Sequence, residues 1–482
     1  MRFYNTLTRS RDEFTPLDGN TVRIYSCGPT VYSYAHIGNL RTYIFMDLLR
    51  RSLRYNGYKL KHVMNITDVG HLTDDADDGE DKMEKASREQ KKTPWEIADY
   101  YTKVFLEDTA ALNIGKPEIV VKATDHIPEM IAFVEGLCEK GYGYETSDGI
   151  YYDIGRFPEY GRLSRLKLDE LKSGARVEIN DEKRHPADFA IWKKAPKEHI
   201  MQWESPWGMG YPGWHIECSA MGLKYLGEQF DIHTGGVDHI PIHHENEIAQ
   251  SEGLCGCIPA VFWMHGEFML VDGGKMSKSL GNTYTLAQLA ERGYSPGDFR
   301  YFCLNAHYRQ KLNFTFEGMD SAKKSLENLR KAIVSHKGVE NPEVGKPNPE
   351  GGEPKTEGAE LVAGFKAEFD EAVSDDLNIP KALGVVWSAA RSEIKSKAIY
   401  DFIQDCDAVL GLNLDKPPAA EDEVPAAGID PAFDAEIRAA IEARAAAKKA
   451  KNYAEADRIR DMLAEKGVTL TDTKEGTVYK IG

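Results

Sequence analysis

Strand-like and helical segments alternate along the first third of this chain, stop, and later resume. "TVRIYSCG" is followed by a helical stretch through "YIFMDLLRRSLRYNGY", then by "KLKHVMNITDVG", then by helices near 94–112 and 125–140. Strand followed by crossover helix is the pattern of a parallel sheet, because parallel neighbours cannot be joined by a tight turn. From about Tyr142 the texture changes to short aromatic and β-branched segments with turn residues, as in "YGYETSDGIYYDIGRFPEYGRL", which predicts an antiparallel insertion. The alternation returns at "GWHIECSAMGLKYLG", "EQFDIHTGG" and "HHENEIAQSEG". The chain is therefore expected to be α/β, with a doubly wound parallel sheet split by an inserted domain.

Beyond Asn305 the pattern turns helical, with apolar residues at helical spacing in "SAKKSLENLRKAIVSHK" and "PKALGVVWSAARSEIK". A Pro-, Gly- and Glu-rich stretch over 338–360 reads as a loop, and "NLDKPPAAEDEVPAAGIDP" as a linker before a C-terminal segment. A length of 482 residues with 41% hydrophobic content fits several domains with cores of their own. No run has the roughly 18 to 20 consecutive apolar residues of a membrane span, so a cytoplasmic protein with no membrane partner is expected. Seven cysteines at irregular spacings do not form a secreted disulfide framework. The net charge of -17 argues against a surface that attracts nucleic acid everywhere, though a local basic face remains compatible with it.

Two stretches carry phosphate chemistry. "AHIGNLRTY" follows the first strand and opens a helix, where Gly38 permits close backbone approach and the unpaired N–H groups of the helix start favour anions. "GGKMSKSLGN" combines glycines with Lys275, Lys278 and Ser277 in a cationic, donor-rich loop able to fold over a triphosphate. It is not a Walker loop, since Met269 stands where the first glycine belongs. By itself it would also pass for a solvated surface loop. The acidic run over 74–81 fails the calcium-loop pattern, with Ala76 and Lys85 at ligand positions, and reads as solvated.

"PIHHENEIAQSEG" places two histidines and two glutamates at the start of what reads as an amphipathic helix. Residues four apart, such as His243 and Glu247, share one face, and imidazole and carboxylate both suit zinc. Cys27, at the end of the first strand, and Cys218, after "WHIE", would complete a site if both halves of the sheet deliver their strand ends to one crevice. Spacing alone does not choose between His243 and His244, or between Glu245 and Glu247. Cys138, Cys303 and Cys406 sit in apolar helical contexts and read as small core residues, while Cys255 and Cys257 lack the second pair of a zinc ribbon.

The two phosphate stretches, in this order, resemble the HIGH and KMSKS signatures of class I aminoacyl-tRNA synthetases. "FYNTLTR", "YSCGPTVY", "NITDVGH", "DFAIWKKA", "GWHIECSAM" and "HHENEIAQS" fall in the order and approximate spacing of the cysteinyl-tRNA synthetases, and "KKAKNYAEADRIRDML" with "GTVYK" is similar to their C-terminal end. The fourth position of the first signature is Asn39 instead of histidine, which keeps an amide donor but cannot become cationic.

The resemblance implies a Rossmann-like catalytic domain, a helical bundle and a small anticodon-binding domain. It implies that L-cysteine reacts with ATP, accompanied by Mg2+, and that the cysteinyl group passes to the 3′ end of tRNA(Cys), without an editing domain. One Zn2+ per chain, held by Cys27, Cys218, His243 and Glu247, would bind the substrate thiolate. His36, Gly38 and Asn39 would meet ATP phosphates from one side, and Lys275, Ser277 and Lys278 from the other. Gly235 and Gly236 would leave room for the nucleoside, Asp238 would contact the ribose, and Trp214 and His233 would wall the pocket. The implied divisions are 1–115 and 211–270 for the two catalytic halves, 116–210 for the insertion, 271–318 for the KMSKS and stem-contact region, 319–412 for the bundle, 413–431 for the linker, and 432–482 for the anticodon domain.

Between Arg438 and Arg460 there are seven basic and three acidic residues, a locally positive stretch on an acidic chain. The resemblance makes Asp457 and Arg460 candidate base readers and implies a monomer. Two rivals share the signatures: a ligase joining activated cysteine to an amino sugar, which lacks this C-terminal region, and a non-catalytic zinc-containing tRNA-binding paralogue, which would need neither ATP loop.

Overall fold

The computed structural model describes residues 1–70, 81–166, 181–276, 281–339, 357–416, 431–449, 452–466, 468–472 and 477–481. The expectations for Ser277 and Lys278, for most of the acidic loop 74–81 and of the loop 338–360, and for the linker from 417 to 430 lie outside the described residues. The chain divides into two compact units, Met1–Leu286 with Pro296–Asp415, and Ala287–Ser295 with Lys416–Gly482.

The first unit opens with a hairpin of β1 (Arg2–Asn5) and β2 (Ser10–Glu13). Next come β3 (Thr21–Ser26), α1 (Ile37–Tyr55), β4 (Lys59–Ile66), α2 (Lys82–Gln90), α3 (Pro94–Ala111), β5 (Ile119–Lys122) and α4 (Ile127–Glu139). Five strands then form the antiparallel insertion: β6 (Gly143–Glu145), β7 (Gly149–Tyr152), β8 (Phe189–Lys194), β9 (Trp203–Ser205) and β10 (Gly208–Pro212). The alternation resumes with α5 (Trp214–Leu226), β11 (Phe230–Gly236), α6 (His243–Cys255) and β12 (Ala260–Gly266). The central sheet has the order β12-β11-β3-β4-β5, with every neighbouring pair parallel. All seven residues of β11 are buried, as expected of an inner strand covered on both faces.

Two expectations are corrected. The division implied by the resemblance puts 116–122 in the insertion, yet Ile119–Lys122 pairs with β4 as the edge of the parallel sheet, and the antiparallel strands begin only at Gly143, next to the change of texture at about Tyr142. Four residues, "IVVK", are too few to show which sheet they will join. Nor is α6 amphipathic: ten of its thirteen residues are buried, polar ones included. The insertion covers its outer face. Tyr152 Oη donates to Ala249 O (2.8 Å), Tyr160 Oη to Asn246 Oδ1 (2.5 Å), and the backbone N–H groups of Gly161, Leu163 and Ser164 donate to the Glu245 carboxylate at 2.9, 3.0 and 2.7 Å.

After β12 a three-stranded sheet of β13 (Met269–Val271), β14 (Gly274–Lys275) and β15 (Leu312–Phe314) carries the start of the cationic loop. The helices α7 (Pro296–Leu304), α8 (Phe316–Val334), α9 (Glu357–Ser374), α10 (Ile379–Ala390) and α11 (Lys397–Leu410) follow. In the second unit α12 (Pro431–Lys449) and α13 (Tyr453–Glu465) lead into a hairpin of β16 (Val468–Asp472) and β17 (Thr477–Ile481), around a small core of Ile437, Ile459, Leu463 and Val468.

Candidate functional site

From β3 the chain runs to β4 and β5 on one side, then returns to β11 and β12 on the other. The crevice at the C-terminal ends of β3 and β11 is thus the topological switch point, where open α/β sheets bind ligands. A cavity of about 280 Å3 opens there, lined by Cys27, His36, Asn39, Trp214, Gly235, Gly236 and Asp238, together with Tyr32, Lys82, Tyr101 and His239. The first seven are site residues named from sequence. The last four were not singled out: Tyr32 closes the stretch "YSCGPTVY" and His239 follows Asp238, while Lys82 and Tyr101 lie outside the motifs.

The start of α1 forms one wall. His36 is the N-cap, its Nδ1 accepting from Asn39 N, while Asn39 Oδ1 accepts from His36 N, both at 3.2 Å. The asparagine in place of the signature histidine thus closes a capping box. No acidic residue occupies the first turn of α1, so the positive end of the helix dipole faces the cavity without an anion of its own. A Cβ on Gly38 would sit 3.0 Å from His36 Nδ1 and 3.4 Å from Met276 Sδ, so glycine lets the capping ring and the second signature close in. Ile37 N also donates to Tyr284 O (2.8 Å), tying the segment after the cationic loop to the helix start. Lys275 is exposed, and its carbonyl accepts from Asn282 Nδ2 at 3.0 Å.

Behind the cavity lies a buried donor cluster. Cys27 follows β3, its N–H donating to Thr234 O of β11 at 3.2 Å. Cys218 comes from α5, and His243 and Glu247 from the first turns of α6. One ligand atom from each of these four lies within 4.8 Å of the others, and the same holds for Cys27, His233, His244 and Glu247. Tetrahedral zinc with sulfur, nitrogen and oxygen ligands needs donor separations of roughly 3.3–3.8 Å. Cys27 Sγ is 4.0 Å from Cys218 Sγ and 3.3 Å from His244 Nε2, and His243 Nε2 is 3.1 Å from Glu247 Oε1. Glu247 Oε1 is buried and makes no well-aligned hydrogen bond among the described residues; its near polar neighbour is His243 Nε2, itself a candidate ligand, which suits an oxygen sharing a metal with that ring. Thiolates with imidazole and carboxylate form a donor set for zinc.

The structure removes Glu245 from contention, because its carboxylate is occupied by the insertion backbone. It does not remove His244. Both histidines have an outer partner that fixes ring orientation: His243 Nδ1 lies 3.0 Å from His215 Nδ1, and His244 Nδ1 lies 2.8 Å from His265 Nε2, whose Nδ1 meets Thr6 Oγ1 at 2.8 Å. His233 is set behind the cavity instead of in its wall, 1% exposed, stacked on Trp263 at 4.6 Å and 2.8 Å from Glu247 Oε2. Trp214 packs on His243 at 4.3 Å and stands edge-on to His239. Gly235 is needed for close approach, since a Cβ there would meet His239 Nδ1 and His244 Cε1 at 2.7 Å.

The electrostatics separate these groups. Burial pushes the Cys27 thiol well up. Burial acts the same way on Cys218, but hydrogen bonds from Cys27 and His243 outweigh it and bring that thiol down. Burial opposes a charge on His243, yet Glu247 and Cys218 pull its pKa up to about 10. Burial holds His244 and His265 well below the usual range and brings His239 to about 4. Charge thus gathers on Cys218, His243 and Glu247, whereas Cys27, His239, His244 and His265 are held neutral, and the His243 ring must give up its proton before it can ligate a metal.

The family model described as the tRNA synthetases class I (C) catalytic domain matches residues 13–324, and that of the cysteinyl-tRNA ligase anticodon binding domain matches 430–479. Cysteine–tRNA ligase 1 of Burkholderia lata is 47% identical over 479 residues, covering 99% of this chain and 96% of the relative. The chain belongs to the cysteine–tRNA ligase family. Cysteine–tRNA ligases of Treponema denticola and Thermococcus gammatolerans are 44% and 42% identical, each spanning 100% of this chain and 99% of the relative. Among solved structures, a Mycobacterium tuberculosis methionyl-tRNA synthetase in complex with methionyl-adenylate superposes with a TM-score of 0.57 at 16% identity, over 82% of this chain and 90% of that one, a likeness of fold.

For a cysteine–tRNA ligase the C-terminal unit is the expected RNA-facing part. There Arg460 pairs with Asp457 (2.9 Å) and Arg458 with Glu455 (2.7 Å), so the two candidate base readers hold each other at the surface of α13. Among the described residues no helix is long and apolar enough to cross a membrane. The residues that sequence reasoning missed are mainly histidines, His215, His239 and His265, whereas His244 stood as the open alternative to His243. His265 had a legible signal, standing next to last in β12, at the same sheet edge as the other donors.

Proposed function

We infer that this chain activates L-cysteine with ATP, releasing pyrophosphate, and passes the cysteinyl group to the 3′-terminal ribose of tRNA(Cys). The observation that carries the amino-acid choice is the buried quartet of Cys27, Cys218, His243 and Glu247 behind a cavity walled by His36 and Asn39 of the first phosphate signature. In the first step the substrate carboxylate attacks the α-phosphate, so the chain supplies position and charge stabilisation and no nucleophile. The start of α1, with His36 and the amide of Asn39, receives phosphate oxygens accompanied by Mg2+. Lys275 and Lys278 neutralise the charge that builds on the leaving pyrophosphate, with Lys278 the principal cation, and the Ser277 hydroxyl donates to a phosphate oxygen. Asp238 accepts from the ribose, Gly235 and Gly236 let the nucleoside approach, and Trp214 closes the amino-acid pocket.

One zinc per chain on this quartet would select the substrate thiolate, which it prefers to a hydroxyl. An apolar pocket would separate such near-isosteres only about 10- to 200-fold, so direct recognition of sulfur removes the need for an editing domain. The chain acts as a cytoplasmic monomer, where its tRNA is found. The test is cysteine-dependent exchange of labelled pyrophosphate into ATP beside serine and alanine, with zinc measured on the same sample. Exchange with cysteine alone and one zinc per chain supports this reading, and tRNA charging excludes the amino-sugar ligase. A folded, zinc-loaded chain without exchange would overturn it.

A further inference from the structure

The cavity at the ends of β3 and β11 has an aromatic rim on its α3 side. Tyr34 and Tyr101 line it, and Tyr34 stands two residues before His36, the N-cap of α1. Tyr100, next in α3, continues the cluster outward. The three rings meet edge-on, with centroids 5.0 Å apart for Tyr34 and Tyr101, 5.1 Å for Tyr100 and Tyr101, and 6.2 Å for Tyr34 and Tyr100. Tyr101 is buried, whereas Tyr34 is 46% and Tyr100 42% exposed. The two exposed tyrosines bond to each other through their hydroxyls at 2.8 Å, which holds the rings in place and leaves apolar surface to solvent. Exposed rings clustered at the mouth of a cavity mark a contact surface, because the core gains nothing from them.

Positive charge lies beside these rings. α2 and the two residues after it carry Lys82, Lys85, Arg88, Lys91 and Lys92 against Glu84 and Glu89, a local excess on a chain of net charge -17. Lys92 is exposed, and its Nζ sits 5.1 Å from the centre of the Tyr100 ring. The neighbouring carboxylates are already committed. Glu84 accepts from Ile200 N at 2.9 Å, Glu96 from Thr93 N at 2.8 Å, and Asp99 from Lys122 Nζ at 2.6 Å.

We propose that Tyr34 and Tyr100 form the platform on which the unpaired 3′ end of the tRNA stacks as its terminal ribose enters the cavity, with Lys92 meeting a phosphate. This rests on the reading that the cysteinyl group is transferred in that cavity. Every base has a π-face, so exposed tyrosines hold single-stranded RNA without reading its sequence, and lysines beside them answer the backbone. A paired stem would present phosphates and riboses instead of base faces, so the rings favour the unpaired end. Tyr34 belongs to both the rim and the cavity lining, so a strand stacked on it already stands at the entrance.

The test measures binding of the full chain to two tRNA(Cys) transcripts, one complete and one lacking its unpaired 3′ nucleotides. In the parent, truncation should weaken binding roughly tenfold, within the range of one stacked base. In Tyr100→Leu most of that difference should vanish, while Tyr100→Phe, which keeps the ring and loses the hydroxyl, should behave as the parent. Lys92→Glu should likewise shrink the difference, and decides by the same comparison if Tyr100→Leu fails to fold. Cysteine-dependent pyrophosphate exchange, which needs no tRNA, should stay at the parent's level in all three variants. Its absence from the parent would count against the activity inferred above and leave the binding comparison to decide this proposal. No effect of truncation in the parent, or the same effect in the parent and the folded variants, would overturn it. So would a raised KM for ATP with tRNA binding unchanged, which would give the rings to the nucleotide.

Discussion

At the scale of single residues, His243 and His244 are alternatives for one place in the proposed metal site, and their outer partners distinguish them. If His243 is the ligand, His215→Ala removes the acceptor that fixes its ring. Metal affinity should then fall roughly 10- to 100-fold, with His265→Ala close to the parent, as read by chelator competition. The reverse order would hand the site to Cys27, His233, His244 and Glu247. Asn39 offers a second residue-scale test. Because its side chain caps the backbone N–H of His36, Asn39→Ala should destabilise the start of α1 by about 0.5–2 kcal/mol, measurable as a lower denaturation midpoint. A midpoint unchanged from the parent would mean that the capping box contributes nothing.

Between elements, the firmest tie is a buried ion pair joining α1 to α7. Arg300 Nη2 donates to Asp47 Oδ2 at 2.6 Å, and its other nitrogens donate to Leu410 O (2.8 Å) and Leu112 O (3.0 Å), so one guanidinium holds four segments together. Burial works to raise the Asp47 pKa, but Arg300 and Arg51 outweigh it and hold the carboxyl below its ordinary 3.8. The contribution of Asp47 to stability is therefore complete above that value and is lost as pH falls through the folded pKa. Asp47→Asn leaves Arg300 buried and unpaired and should destabilise the first unit by about 3–5 kcal/mol at neutral pH. The difference between variant and parent should shrink on acidification, which acid titration of both unfolding curves would reveal. Several donors of the candidate site gather at one sheet edge for a related reason: parallel strands all deliver their C-terminal ends to the same side.

For the whole molecule, the division into two units predicts a separation of activities. The cavity, the donor cluster and the described part of the cationic loop all belong to the first unit, and the anticodon-type match to the second. A chain ending at Asp415 should retain pyrophosphate exchange and lose most tRNA charging, and equal loss of both would refute that division of labour. Much of this was legible in the sequence. Strand and helix periodicity gave the split parallel sheet, and the phosphate stretches were readable as motifs because each depends on residue type at short spacing; the four proposed zinc ligands came from the family resemblance, since spacing alone left His243 or His244 and Glu245 or Glu247 open. Three-dimensional packing decided the rest. The short β5 joined the parallel sheet, α6 was buried by an insertion distant in sequence, Glu245 was taken by backbone N–H groups of that insertion, and His265 and His215 met the two candidate histidines only across the fold. Local spacing fixes which side chains share a face, but a partner contributed by a distant segment is set by how the layers pack, and that is determined only once the chain has closed on itself.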